Sequence, residues 1–117
     1  MSVREISRGL GPAFFLGWIA FFSVGADAGE EVNQQRQREL VRLVRNDCGS
    51  CHGLKLGGGL GPSLLPAALA GKAPGALRET IQQGRAGTAM PPWSRFLSEA
   101  EANWIVEQLM KGFPDVQ

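Results

Sequence analysis

Apolar positions fall into one dense block near the start of the chain and then into short, spaced clusters. The block runs from Leu10 to Val24 and holds Phe14, Phe15, Leu16, Trp18, Ile19, Phe21 and Phe22. Arg4 and Arg8 precede it, and Ala26-Asp27-Ala28 follows with small residues at the two positions a signal peptidase reads. The pattern predicts a secretory signal over residues 1–28, cleaved to leave 29–117 in the periplasm. No twin-arginine pair is present, so the general secretion route is expected. An uncleaved membrane anchor is the alternative. The block is short against the about 20 apolar residues a span needs, and Gly11, Pro12 and Gly17 interrupt it.

Beyond the block the spacing is helical. Glu31 to Asp47 lacks Gly and Pro, is rich in helix formers, and carries an apolar patch of Leu40, Val41, Leu43 and Val44. Its remaining face bears Arg36, Arg38, Arg42 and Arg45, which reads as a solvated surface or as a docking face for an acidic partner. Pro66 to Ala70 predicts a short helix closed by Gly71. Pro74 to Gln83 predicts another, with Pro suited to the first turn, Gly84 as the stop, and Leu77 and Ile81 on one face. Ser98-Glu99-Ala100-Glu101 is a capping box that opens a last helix ending at Lys111 before Gly112 and Pro114. Trp104, Ile105 and Leu109 are its expected buried side. The stretches between, Gly53 to Pro62 and Gly84 to Trp93, are rich in Gly and Pro and read as loops. Nothing alternates at period two for long, so no sheet is expected. The fold class predicted is all-α, with three to four helices.

Composition narrows the picture. The chain has 117 residues, room for one domain. Net charge is +1, and it stays there once residues 1–28 with Arg4, Arg8, Glu5 and Asp27 are removed. That balance gives no sign of a nucleic-acid partner. The glycine loop is no phosphate cradle, because no strand precedes it and no Gly-Lys-Ser/Thr follows. A domain this small buries only roughly 60–65% of its unfolded surface, so a bound group would complete its core.

The chemistry is concentrated in Cys48-Gly49-Ser50-Cys51-His52. Two thiols at this spacing followed by an imidazole form the attachment site of a c-type haem. The thiols add across the two vinyl groups of one porphyrin, and the imidazole binds iron from below. Zinc would want four protein ligands, whereas the chain's two cysteines and single histidine all lie in the motif. A thioredoxin-type dithiol would need a βαβ context that is missing, and a plain disulfide would leave His52 unexplained. Met90, in Gly87-Thr88-Ala89-Met90-Pro91-Pro92, is the expected ligand on the other side of the iron. His52 is already used, Met1 leaves with the signal, and Met110 sits on the last helix as core filler. The prolines after Met90 stiffen its loop. Leu60, Leu64 and Leu65 are expected to touch the porphyrin. With both axial positions filled there is no site for substrate, so the expected role is single-electron transfer by an electron carrier, not an enzyme. The alternative is a five-coordinate haem catalyst or gas sensor, if Met90 is not a ligand.

The order of helix, Cys-x-x-Cys-His, Gly-Pro loop, helix, methionine loop and closing helix with an aromatic resembles the class I cytochrome c family. The resemblance spans Glu31 to Lys111. It implies that the first and last helices cross with Trp104 packed there, and that the Pro62 carbonyl accepts the His52 N–H. Within the family, Asp47 to Leu54, Gly58 to Pro62, Met90-Pro-Pro-Trp93 and Phe96 to Ala102 are similar to small cytochromes encoded with denitrification genes, the NirC type. That likeness implies a periplasmic carrier serving the haem-c/haem-d nitrite reductase, or a step in making haem d. An electron-transfer module of a larger dehydrogenase is a further alternative.

Overall fold

The computed structural model describes residues 31–115, so the expected signal, residues 1–28, lies outside the described residues. Those described form helices and loops with no strand among them. Helix α1 is Gln34–Leu43. Its start differs from the expected Glu31, because the Asn33 side chain accepts the Arg36 N–H at 3.0 Å. A short amide that can bond its own backbone caps a helix better than it continues one.

The chain then stays helical past Asp47, where the spacing predicted a stop. A π-helical turn at Val44–Cys48 lets the Gly49 N–H reach the Val44 carbonyl. It leads into α2, Gly49–His52. The cysteine-histidine motif is therefore the last stretch of the first helical rod, and π turns recur at functional sites.

Helices α3 (Pro66–Leu69), α4 (Pro74–Gln83) and α5 (Glu99–Lys111) follow. Pro66 and Pro74 stand in the first turns, as expected. The capping box is complete: the Ser98 N–H donates to Glu101 Oε2 at 2.8 Å, and the Glu101 N–H to Ser98 Oγ at 3.2 Å.

One buried cluster joins the elements. Leu40 and Val44 come from the first rod, Leu56 from the glycine loop, Leu69 from α3, Leu97 from the segment before α5, and Ile105 and Leu109 from α5. α3 and α4 both pack on α5. Arg36 of α1 bonds Glu101 of α5 and, at 3.0 Å, Glu39. Arg45 donates to the carbonyls of Phe113 at 2.8 Å and Pro114 at 2.9 Å, pairs with Asp115 at 3.0 Å, and lies over the Phe113 ring. Two of the four arginines read as a solvated face thus clamp the rod to the C-terminal half. Arg38 and Arg42 stay exposed.

Trp104 departs from expectation. It is half-buried at the margin of the core, edge-on to Phe113 with centroids 6.3 Å apart. The buried positions of α5 are Ala102, Ile105, Val106 and Leu109. They form an i, i+3, i+4, i+7 stripe, and residue 104 lies on its flank.

Candidate cofactor site

Cys48, Cys51, His52 and Met90 line one cavity of about 500 Å³. Its walls are otherwise mostly apolar, with Val44, Leu64, Leu69, Leu77, Ile81, Trp93 and Leu97 among them. The volume is in the range of about 300–1,000 Å³ usual for ligand and cofactor pockets.

The proximal wall is built by the end of α2 and the loop after it. His52 is buried, and its Nδ1 lies 2.7 Å from the Pro62 carbonyl. A carbonyl can only accept, so Nδ1 carries the proton and the Nε2 lone pair is left for a metal. This is the contact that the family resemblance implied for Pro62. The loop is drawn back under the helix end: the Gly58 N–H donates to the His52 carbonyl at 2.7 Å, and the Gly61 N–H to that of Cys51 at 2.8 Å. These bonds satisfy carbonyls that a helix terminus leaves open. Gly61 also rests against the imidazole. A Cβ there would sit 2.7 Å from Cε1 and 2.8 Å from Nδ1 of His52.

Leu56 is the residue of this loop that sequence reasoning missed. It is 1% exposed with φ of 60°. A left-handed non-glycine residue costs roughly 1–2 kcal/mol, which burying a leucine, worth about 1.5–3 kcal/mol, offsets. Leu64 lines the cavity, Leu60 lines it at the rim with 79% exposure, and Leu65 does not line it and is 46% exposed. The Leu64 N–H bonds the Leu56 carbonyl, and this holds Leu64 inward.

Cys48 and Cys51 are half-buried free thiols. Burial, with Asp47 beside it, pushes the Cys48 thiol up to about 11, so the free thiol is neutral near pH 7. Among the described residues no group of three His, Cys, Asp or Glu is placed to hold a metal ion.

The distal wall is the loop between α4 and α5. Gly84, with φ of 67° and ψ of −164°, turns the chain so tightly that a Cβ would lie 2.6 Å from Pro91 C and 2.7 Å from the Met90 carbonyl oxygen. Only glycine fits there. The Arg85 N–H donates to the Met90 carbonyl at 3.1 Å, the Met90 N–H to Thr88 Oγ1 at 3.3 Å, and the Thr88 hydroxyl to the Arg85 carbonyl at 2.7 Å. At the loop's base, buried Gln82 donates to the carbonyls of Leu97 at 3.1 Å and Ser98 at 3.3 Å. No spacing rule flagged Gln82. Met110 packs against the core and does not line the cavity.

The donor set fits haem c. Two thiols, an imidazole with a free lone pair and a thioether face one apolar space, and the glycine cradle keeps the imidazole in place. Residues 35–108 match the family described as cytochrome c oxidase, cbb3-type, subunit III, and the chain belongs to that family of c-type cytochrome domains. Its fold is that of class I cytochrome c, and its cofactor is one covalent haem c. Among known proteins it is similar to cytochrome c55X of Pseudomonas aeruginosa, at 51% identity over 85 residues that make up 73% of this chain and 71% of that one. It is also similar to the solved structure of the c-type cytochrome NirC, at 50% identity and a TM-score of 0.68, over 68% of this chain and 94% of that one. The structure of dihydro-heme d1 dehydrogenase NirN in complex with DHE shares 39% identity at a TM-score of 0.55, over 59% of this chain but 15% of the larger protein. The chain is a monohaem c-type cytochrome related to NirC, which implies electron transfer.

Proposed function

We propose that the chain is a periplasmic one-electron carrier of denitrification, with His52 and Met90 as the two axial ligands of its haem and Cys48 and Cys51 as its covalent anchors. Haem c supplies the one-electron couple. The observation that carries the reading is the placement of Met90 on the same cavity as His52, in a loop braced by Gly84, Arg85 and Thr88. His52 is aimed by Pro62, which also raises the basicity of the imidazole. Met90 closes the opposite side with a soft, neutral sulfur that favours the reduced state. With both sides closed the protein offers no position for substrate, which makes it a carrier and not an enzyme.

Likeness to NirC supports a place in denitrification. A partner that handles haem d1 is supported by NirN, which carries a domain like this one in 15% of its length. The expected partners are the haem-c/haem-d nitrite reductase or an enzyme of haem d maturation. Met1 to Ala28 serves as an export signal in this reading, and the N-terminus of periplasmic protein should be Gly29. Among the described residues no helix is long and apolar enough to cross a membrane.

Met90→Ala tests the ligand assignment. The variant should lose the methionine–iron charge-transfer band of the oxidised protein, fall in potential, and bind carbon monoxide. Rapid carbon monoxide binding by unaltered protein would overturn it, and the five-coordinate catalyst or sensor would take its place.

A further inference from the structure

We propose that Arg85 pairs with a carboxylate of the haem and so fastens the cofactor to the foot of the Met90 loop. Haem differs from its mostly apolar cavity in bearing two carboxylates, on the side of the ring away from the vinyl groups that the thiols consume. A carboxylate taken out of water needs a partner. The charged side chains on the cavity wall are Asp47, Lys72 and Arg85. Asp47 has the wrong sign and stands next to Cys48, at the thioether side. The two cations flank α4, Lys72 just before it and Arg85 just after it.

Arg85 is the better held of the two. Its N–H and carbonyl both belong to the hydrogen-bonded ring that includes Met90 and Thr88. Among the described residues its guanidinium has no ion pair and no hydrogen bond; Arg38, Arg42 and Arg95 share that state, but among them only Arg85 lines the cavity, and Arg36, Arg45 and Arg78 each pair with a carboxylate. A guanidinium meets a carboxylate with two parallel N–H bonds, while the lysine ammonium is a point charge on a mobile stem. Lys72 has its N–H on the Leu69 carbonyl and no second tie of that kind. The inference rests on the haem, not on Met90 being its ligand.

The test is resonance Raman spectroscopy of the full holoprotein, read at the haem propionate bending mode. Arg85→Gln should shift that mode, Arg85→Lys should move it part of the way, and Lys72→Gln should leave it in place. An unmoved mode in Arg85→Gln overturns the pairing, as does a shift seen in Lys72→Gln alone. Should the glutamine variant yield no holoprotein, unaltered protein labelled with ¹⁵N-arginine serves instead. The Arg85 Nε–H should exchange slowly with solvent and differ in shift between ferric and ferrous states. A freely exchanging Nε–H that is blind to the iron overturns the pairing. Absence of the methionine–iron band in the same unaltered sample would count against the Met90 assignment and leave the propionate mode to judge Arg85.

Discussion

Gly61→Ala is the smallest change that should disturb the proximal side. The backbone at Gly61 is not left-handed, so the effect is steric alone. The new Cβ would stand 2.7 Å from Cε1, 2.8 Å from Nδ1 and 3.2 Å from Nε2 of His52. Carbon contacts are comfortable near about 3.5–4.0 Å, so the ring has to retreat by about 1 Å. It cannot do so freely, because Nδ1 is tied at 2.7 Å to the carbonyl of Pro62, the very next residue. A retreat of that size stretches the bond beyond its working range. Overpacking costs roughly 1–3 kcal/mol, and the lost bond about 1 kcal/mol more. The sum is about 2–4 kcal/mol, or roughly 10–25 °C in Tm for a domain of this size. Thermal unfolding of the holoprotein, followed in the haem absorption, reads it directly. Gly75→Ala is the control, since an added Cβ there meets nothing within 4 Å. On helix propensity alone that change is neutral or stabilising by up to about 1 kcal/mol. If Gly61→Ala melts with the control and keeps an unaltered spectrum, the imidazole does not rest on Gly61 and the cradle described for it is wrong.

Trp104→Ala should cost about 1–2 kcal/mol in denaturant unfolding, less than the roughly 3–5 kcal/mol of a fully buried aromatic, because Trp104 is half-buried and its ring contact is the edge of Phe113; a loss above 3 kcal/mol would place it in the core after all. Glu101→Gln should change the acid limb of stability. The bond from Arg36 holds the Glu101 carboxyl below its ordinary value in the fold, so its contribution is complete above the unfolded pKa of about 4.3 and disappears as pH falls through the lower folded value. Denaturant midpoints measured from pH 7 down to about 3 should therefore fall more steeply for unaltered protein than for the variant, and parallel curves would show that the ion pair contributes nothing.

Much of the fold was written locally, and what escaped was tertiary. Pro74 and Gly84 bound α4 at its observed ends, and the Ser98 to Glu101 box starts α5, because caps and breakers act within a few residues of themselves. Cys48, Cys51, His52 and Met90 stood out in the sequence because the chain has only two cysteines, one histidine and three methionines, and all four line one cavity. The run of helix through the cysteine motif was not legible. A π turn has no residue signature, so the expected helix stopped at Asp47 although the rod runs on through Gly49 to His52. Leu56 was invisible for a related reason. Its burial comes from the glycine loop folding under α2, which depends on long-range bonds and not on the residues beside it. Trp104 misled because a large aromatic draws attention, whereas the stripe of Ala102, Ile105, Val106 and Leu109 decides which face of α5 is inside.

The two walls of the cavity are fixed by separate devices, and this bears on what the protein can do. On the proximal side, His52 is held by Pro62 and by the bonds from Gly58 and Gly61 to the end of α2. On the distal side, the Met90 loop is closed upon itself at Gly84 and Arg85 and pinned at its base by Gln82 and by the Trp93 N–H bond to Ile81. Neither set borrows a residue from the other. The cluster of Leu40 and Val44 with Ile105 and Leu109 joins the first rod to α5. Each wall is thus tied by hydrogen bonds within the protein in addition to whatever the haem supplies. A carrier needs the same ligand positions before and after the electron moves, and preorganised groups meet that need without rearrangement. In the carrier reading proposed above, the distal loop, with its glycine turn, its ring of three hydrogen bonds and the buried glutamine at its base, would hold the Met90 sulfur in one place through both oxidation states.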